Sequence, residues 1–350
     1  MLIYARKNLI MRTLTKNDAP AVYNAVDKNR AYLRPWLPWV DETDSPDVTE
    51  NVIAKWEDGY KAKKDVALGI FENGEYIGNM GLHDLKSHNS SGMIGYWLAE
   101  NRQGRGIMTD CVRALVNAGF YTLGLNRIWI CQAAGNKKSG AVPERLGFAK
   151  EGVLQDGDCL YGVFHDRVIW GMVKRNWQKG DILCLIEPSL EHKDAAWKYK
   201  QEYIGSGETW IHGSGGLMNA GDYESWFEKA ADGQAPAAPG FVKASTYFAF
   251  AGDKIVGTIQ VRHELNGALL KSGGHIGYGV RPSERRKGYA SKMLALALEK
   301  CRELGIYKAL VTCDKNNNAS AKTIVKNGGV LENEYTDENG NVSLRYWIAI

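Results

Sequence analysis

The chain is 350 residues long, 44% hydrophobic and 24% charged, with 44 basic and 40 acidic residues giving a formal charge of +4. That length exceeds what one core usually serves and implies two domains; the balance is that of a globular rather than a disordered protein, and so slight an excess of positive charge argues against a nucleic-acid partner. Cys111, Cys131, Cys159, Cys184, Cys301 and Cys313 show no paired spacing for a disulfide frame or a metal, and no run reaches the roughly 18–20 apolar residues that cross a bilayer, so a cytoplasmic protein without metal or membrane partner is expected.

In chain order, LIYARKNLIMRTLT opens as an alternating strand, Asp18 starts a helix, and a second helix is expected over 48–62. Strands over 66–72 and 75–82 flank Asn73-Gly74, a dipeptide whose φ preferences suit a tight hairpin. MIGYWLAE at 93–100 leads into the basic glycine turn Asn101-Arg102-Gln103-Gly104-Arg105-Gly106 and then a helix, IMTDCVRALVNAGF. The apolar run IWICQA, a short helix around 139–146 and strands at 149–155 and 160–173 complete a mixed α/β half.

The second half repeats this order. ILCLIEPS at 182–189 is followed by a hairpin of TYFAFAG and IVGTIQVRH around Asp253-Lys254, then GGHIGYGV, the turn Arg285-Arg286-Lys287-Gly288-Tyr289-Ala290 and the helix ASKMLALALEKCREL. ALVTCDK, a short helix around 319–327 and SLRYWIAI close it, so the chain reads as an internal duplication with domains over 1–178 and 181–350. AADGQAPAAPG at 230–240 reads as a loop, and the glycine-rich stretch 204–220, with Trp210 and His212, as either a substrate-covering loop or irregular surface.

A strand that ends in a tight turn exposes consecutive amides, and the following helix adds its unpaired first-turn donors, so each turn can hold a pyrophosphate without metal. Gly104, Gly106, Gly288 and Ala290 keep side chains out of the way, while Arg102, Arg105, Arg285, Arg286 and Lys287 add positive charge. A dinucleotide-binding fold would place its glycine turn after the first strand of a βαβ unit, and a P-loop would need GxxxxGK followed by Ser or Thr; neither pattern is present.

The two turns resemble that of the GCN5-related N-acetyltransferase superfamily: Gln or Arg, two residues, Gly, one residue, then Gly or Ala. RRKGYA fits throughout, and NRQGRG departs at Asn101. Over about 8–175, Gln103 to Gly106, Asn136 to Ser139 and Gly147 to Gly152 resemble the RimJ/RimL-like subgroup that acetylates ribosomal-protein N-termini. From about 181 onward, Gly274 to Ala290 and Cys313 with Asn317 and Ser320 are similar to a group of predicted acetyltransferases.

The resemblance implies two tandem domains, each a mixed sheet splayed at its centre with flanking helices, using acetyl-CoA to acetylate a primary amine. The acceptor is a protein N-terminus or a small molecule. Main chain near Leu98, Trp129, Tyr278, Val280 and Val311 would meet the pantetheine, with Gln103, Asn136 and Asn317 assisting. The family's helical tyrosine acid falls at Pro143 and Ile324, neither of which donates a proton.

The RimJ/RimL-like resemblance implies Ser139 at the sulfur and Asp158, several residues past Gly147 to Gly152, as the base acting through water, although an N-cap and a turn explain the same residues. In the second half Glu264 or His275 would relay the proton, with Ser320 near the sulfur. Trp36, Trp39, His83, Asp84 and His263 are candidates for the acceptor groove. A noncatalytic acyl-CoA sensor, a scaffold or an enzyme with one working copy is the alternative, and the chain is expected as an intramolecular pseudo-dimer or a homodimer.

Overall fold

The computed structural model describes residues 1–6, 8–86, 88–178, 183–231 and 241–350. Residues 179 and 180 of the expected boundary and 232–240 of the loop expected over 230–240 fall outside the described residues, while 230 and 231 end a helix rather than open a loop. The chain divides into two compact units, Leu2–Ile182 and Leu183–Ile350, with Met1 counted in the latter. No described helix is long and apolar enough to cross a membrane.

In the first unit, β1 (Leu2–Arg6) and β2 (Leu9–Arg12) precede helices α1 (Ala19–Lys28), α2 (Arg30–Leu33) and α3 (Pro46–Lys61). Then come β3 (Val66–Glu72), β4 (Glu75–Lys86), β5 (Ser91–Leu98), α4 (Ile107–Tyr121), β6 (Arg127–Ala133), α5 (Lys137–Arg145), β7 (Ala149–Leu160) and β8 (Val163–Val173). The opening segment, expected as one strand, is a hairpin with Leu2 opposite Arg12; Asn8, at φ 63, turns the chain. Asn73 and Gly74, at φ 52 and 79, make the β3–β4 turn as expected. The expected DGDC turn is instead part of β7, which bends there with Asp156 at φ 50 and reverses only at Tyr161-Gly162.

The strands lie in the order β1-β2-β3-β4-β5-β6-β8-β7, antiparallel except for β5 and β6, which the α4 crossover makes parallel. Helix α4 buries Cys111, Val112, Leu115, Val116 and Phe120, each worth on the order of 1.5–3 kcal/mol when removed from water. That burial fixes where the helix begins, and so where its first-turn amides point.

β5 and β6 pair only from Ser91–Arg127 to Ile94–Ile130. Beyond that, β5 follows β4 as far as Leu98, opposite Gly78, and β6 follows β8 as far as Ala133, opposite Arg167. Each strand keeps its outer neighbour, so the sheet opens between them. The Ala99 amide bonds the Ile77 carbonyl, so alternate β5 residues direct their main chain at β4 while Tyr96 and Leu98 direct theirs into the gap.

The second unit contains β9 (Leu183–Ile186), α6 (Lys193–Gly205), α7 (Tyr223–Ala231), β10 (Ala244–Ala251), β11 (Lys254–Arg262), α8 (Gly267–Lys271) and β12 (Ile276–Val280). It continues with α9 (Tyr289–Glu303), β13 (Lys308–Asp314), α10 (Asn318–Lys326), β14 (Val330–Thr336) and β15 (Val342–Ala349). β12, β11, β10 and β9 are successive antiparallel neighbours, and β13-β15-β14 form a second antiparallel set. Between β12 and β13 the opening starts at once: the His275 amide donates to the Leu310 carbonyl at 2.7 Å, and the Leu310 amide donates to His275 Nδ1 at 2.9 Å.

Candidate functional site

The gap beside β5 opens into a cavity of about 810 Å³ in the first unit. Tyr96 and Leu98 line one wall, Ile130 and Cys131 the other, and the glycine turn closes one end. Gly104 and Gly106 both stand at φ +72, a conformation L side chains rarely adopt, and a Cβ on either would meet nothing within 4 Å. Gly106 is the N-cap of α4, so the amides of Ile107, Met108 and Thr109 are first-turn donors without intrahelical partners. An open floor under such donors fits a phosphate group.

The turn arginines are not the free positive field expected from the sequence. Arg105 forks onto both oxygens of the buried Glu72 at 3.0 and 2.8 Å, and Arg102 reaches Glu72 at 3.2 Å and Glu75 at 2.5 Å. Two guanidinium charges thus face two carboxylates, and the cradle's attraction for an anion falls mainly to the amides. Gln103 donates to the Tyr32 hydroxyl at 2.5 Å and accepts from Lys138 Nζ at 3.3 Å, which brings an ammonium to the cavity wall.

At the narrow end of the gap, Tyr96 donates its phenol proton to the Ser139 carbonyl at 2.8 Å, and Ser139 Oγ donates to the Tyr96 oxygen at 3.3 Å. Asn136 accepts from the Ser139 amide at 3.2 Å as the N-cap of α5, so this pair of expected site residues also has the structural role foreseen for it. Burial pushes the Tyr96 phenol up to about 12, against a small opposing effect of the Ser139 contact. Tyr96 escaped the sequence reading; its place in MIGYWL, two residues before Leu98, was the available signal.

Asp158 lines the cavity and is ion-paired with Arg167, which also lines it. Trp36 lies across Gly135, where a Cβ would come 3.2 Å from its ring, and contributes to the cavity wall. Trp39 and His83 line instead a smaller, adjoining cavity of about 230 Å³ under α1 and α3. His83 sits 3.4 Å from Asp65, and Asp84, at φ 54, directs its amide to the same carboxylate. Trp129 is paired with Met93 in the closed part of the ladder, so the gap expected beside it begins only beyond Ile130.

In the second unit Gly288, at φ +81, is the N-cap of α9, with Tyr289 buried behind it and Ala290 in the first turn. Arg285 pairs with Glu208 at 2.8 Å and Lys287 with Glu284 at 2.8 Å, while Arg286 is exposed at φ 63. Tyr278 and Ser320 repeat the hydroxyl contact at 2.8 Å, and Asn317 caps α10 by accepting from the Ser320 amide at 3.0 Å. The Val280 carbonyl, which alternation along β12 directs into the opening, accepts from the Tyr203 hydroxyl at 2.8 Å and from Arg285 Nε at 3.1 Å.

The glycine-rich stretch packs against β12: Gly213 lies so close to Gly277 that a Cβ would come 2.3 Å from the Gly277 carbonyl oxygen. Val311 is buried in β13 opposite Tyr346. The proposed proton relays are not assembled. His275 is buried with Nδ1 spent on Leu310, His263 Nε2 is 2.9 Å from Ser245 Oγ, and Glu264 is exposed.

Residues 8–149 match the family described as Acetyltransferase (GNAT) domain, and residues 218–328 the one described as Acetyltransferase (GNAT) family. The chain is 36% identical over 173 residues to the "Putative ribosomal N-acetyltransferase YdaF" of Bacillus subtilis (strain 168), a stretch covering 49% of this chain and 94% of the relative. It is 28% identical over 168 residues to the Ribosomal-protein-serine acetyltransferase of Escherichia coli (strain K12), covering 47% of this chain and 92% of that protein.

Proposed function

Because the chain belongs to the GNAT family of acetyltransferases, we propose that its first unit binds acetyl-CoA in the cavity beside β5 and acetylates the α-amine at a protein N-terminus. The observation that carries this is the continuity of one cavity, from the amides at the start of α4 along the outward-facing main chain of Tyr96 and Leu98 to Ser139. Its phosphate-holding end and its narrow end match the two ends of such a coenzyme. Bound acetyl-CoA supplies a thioester whose carbonyl carbon a neutral amine attacks.

The chain's own residues hold and orient. The turn and α4 amides would grip the diphosphate, the Tyr96 and Leu98 main chain would pair with the pantetheine amides, and Ser139 would face the sulfur. Of the two carboxylates lining the cavity, Glu100 lies in the turn before α4 and Asp158 is already paired with Arg167. A site so arranged favours an acceptor that sheds its proton easily. An α-amine titrates near 8 and a lysine near 10.4, so the neutral fraction at pH 7.5 differs by about two orders of magnitude. The named relatives that act on ribosomal proteins agree with this choice.

Peptides beginning with free serine or alanine, offered with acetyl-CoA at pH 7.5, are expected to release CoA at least tenfold faster than the same peptides blocked at the N-terminus but carrying lysine. The rate should rise with pH toward about 8 as the α-amine loses its proton, then level off. Faster acetylation of lysine peptides or polyamines would overturn the acceptor assignment.

We infer further that each half is one domain, over 1–178 and 181–350, and that the second does not hold the coenzyme as the first does. The Val280 carbonyl, counterpart of that of Leu98, is taken by Tyr203 and Arg285.

A further inference from the structure

We propose that Tyr96 is a positioning residue for the leaving sulfur: its hydroxyl holds the Ser139 hydroxyl at the apex of the gap, and together they hydrogen-bond the thiolate as the thioester opens. The inference rests on the reading of the first unit's cavity as an acetyl-CoA site. A chain inserted between β5 and β6 cannot pass the last ladder pair, Ile94–Ile130. Whatever end it carries inward must therefore stop beside the next outward-facing β5 residue, which is Tyr96. The group that stops there is the one farthest from the phosphate cradle, and in an acyl-CoA that is the thioester.

In the first unit the tyrosine also anchors α5, because Pro143 leaves the Ser139 carbonyl without an intrahelical donor and the Tyr96 hydroxyl supplies one. One observation separates the positioning role from helix anchoring. The same pair recurs in the second unit, where Tyr278 meets Ser320 Oγ at 2.8 Å beneath an Asn317 cap, although the helix residues around the two serines differ: Lys137-Lys138 against Asn318-Ala319, and Pro143 against Ile324. What is repeated is the hydroxyl contact and the cap.

The chemistry suits the place. Burial pushes both phenols up to about 12, so they stay protonated and remain donors throughout the range where an α-amine is neutral. As drawn, Tyr96 donates to the Ser139 carbonyl while Ser139 Oγ donates to Tyr96. Rotation of the phenol O–H toward Ser139 Oγ frees the serine proton for an incoming acceptor, so two hydroxyls serve one sulfur without either ionising. Hydrogen bonds to a charged acceptor are roughly twice as strong as neutral ones, so the pair favours the thiolate over the thioester. No tyrosine on α5 or α10 is then required.

The test uses the full chain with bound CoA and follows the thiolate's ultraviolet absorbance against pH. The thiol of bound CoA should deprotonate about one pH unit lower in the wild type than in Tyr96→Phe, a tenfold shift in the ionisation constant. Ser139→Ala should give a similar shift, and the double variant little more than either alone, because the two hydroxyls act as a unit. At a pH below the titration of the thiol, CoA affinity by calorimetry should change less than threefold in Tyr96→Phe, which shows that the cradle is intact. Equal thiol titration in the wild type and Tyr96→Phe, with CoA bound to both, would overturn the inference and leave the coenzyme site standing. Absence of saturable CoA binding in the wild type would remove the coenzyme site and this inference with it.

Discussion

Gly104→Trp is expected to weaken acetyl-CoA binding to the first unit by at least ~100-fold, about 2.7 kcal/mol. Two physical effects add. A non-glycine residue held at φ +72 costs roughly 1–2 kcal/mol, which the turn can relieve only by rotating its amides away from their common focus. The indole would also project into the open space above the turn, where a Cβ meets no protein atom and where the ligand's phosphates belong. The folded unit should tolerate the change, because nothing packs there. Gly104→Ala, with the strain and little of the bulk, should fall between, near tenfold. Calorimetric titration of each variant checks the series, and undiminished affinity in Gly104→Trp would dismiss the glycine turn as the phosphate cradle. Gly288→Trp, in the other unit, should leave this binding as it is.

His275→Ala is expected to destabilise the second unit by about 3 kcal/mol. The imidazole is buried, its Nδ1 is the acceptor for the amide of the fully buried Leu310, and its ring meets the edge of Trp347. Truncation strands a buried amide at roughly 1–3 kcal/mol and leaves a void beside the indole. Burial, helped by the positive charge of Arg262, holds His275 below its ordinary value of 6.5. The unfolded chain therefore takes up this proton first as pH falls. The stabilisation is complete above about 6.5 and declines as pH drops below it.

Urea midpoints should thus decrease between about pH 6.5 and 5 in the wild type, less steeply in His275→Ala. Some slope should persist, because His212 and His263 are depressed by burial in the same direction. An unchanged midpoint at neutral pH would contradict the assigned role.

Local chemistry carried much of this fold into the sequence. Asn73-Gly74, Gly104, Gly106 and Gly288 are legible because each occupies a φ that other residues avoid, and α4 and α9 because their apolar faces repeat at helical spacing. Failures came where the deciding partner is remote. Aspartates and a glycine at 156–158 have turn chemistry, and Asp156 does take a positive φ, yet the chain only bulges there and resumes its pairing with β8 at Asp158. His275 reads as a titratable group beside a cleft until Leu310, 35 residues on, claims its ring nitrogen.

The site shows the same division. Ser139 and Asn136 were found through the family likeness, whereas Tyr96 was missed because the direction of a strand residue depends on which neighbour its main chain faces. Glu72 was missed because its link to Arg102 and Arg105 spans 30 and 33 residues.

That buried carboxylate has a kinetic consequence. With Glu72 clamping both arginines to the end of β3, the loop before α4 is held in shape before any coenzyme arrives, so capture needs no prior loop ordering and little entropy is lost in the encounter. Because its guanidinium charges are already matched, long-range steering contributes little, and the association rate should vary only weakly with ionic strength. Selectivity for the visiting molecule then resides in how long it stays, a property of fit along the whole channel rather than of attraction at its mouth.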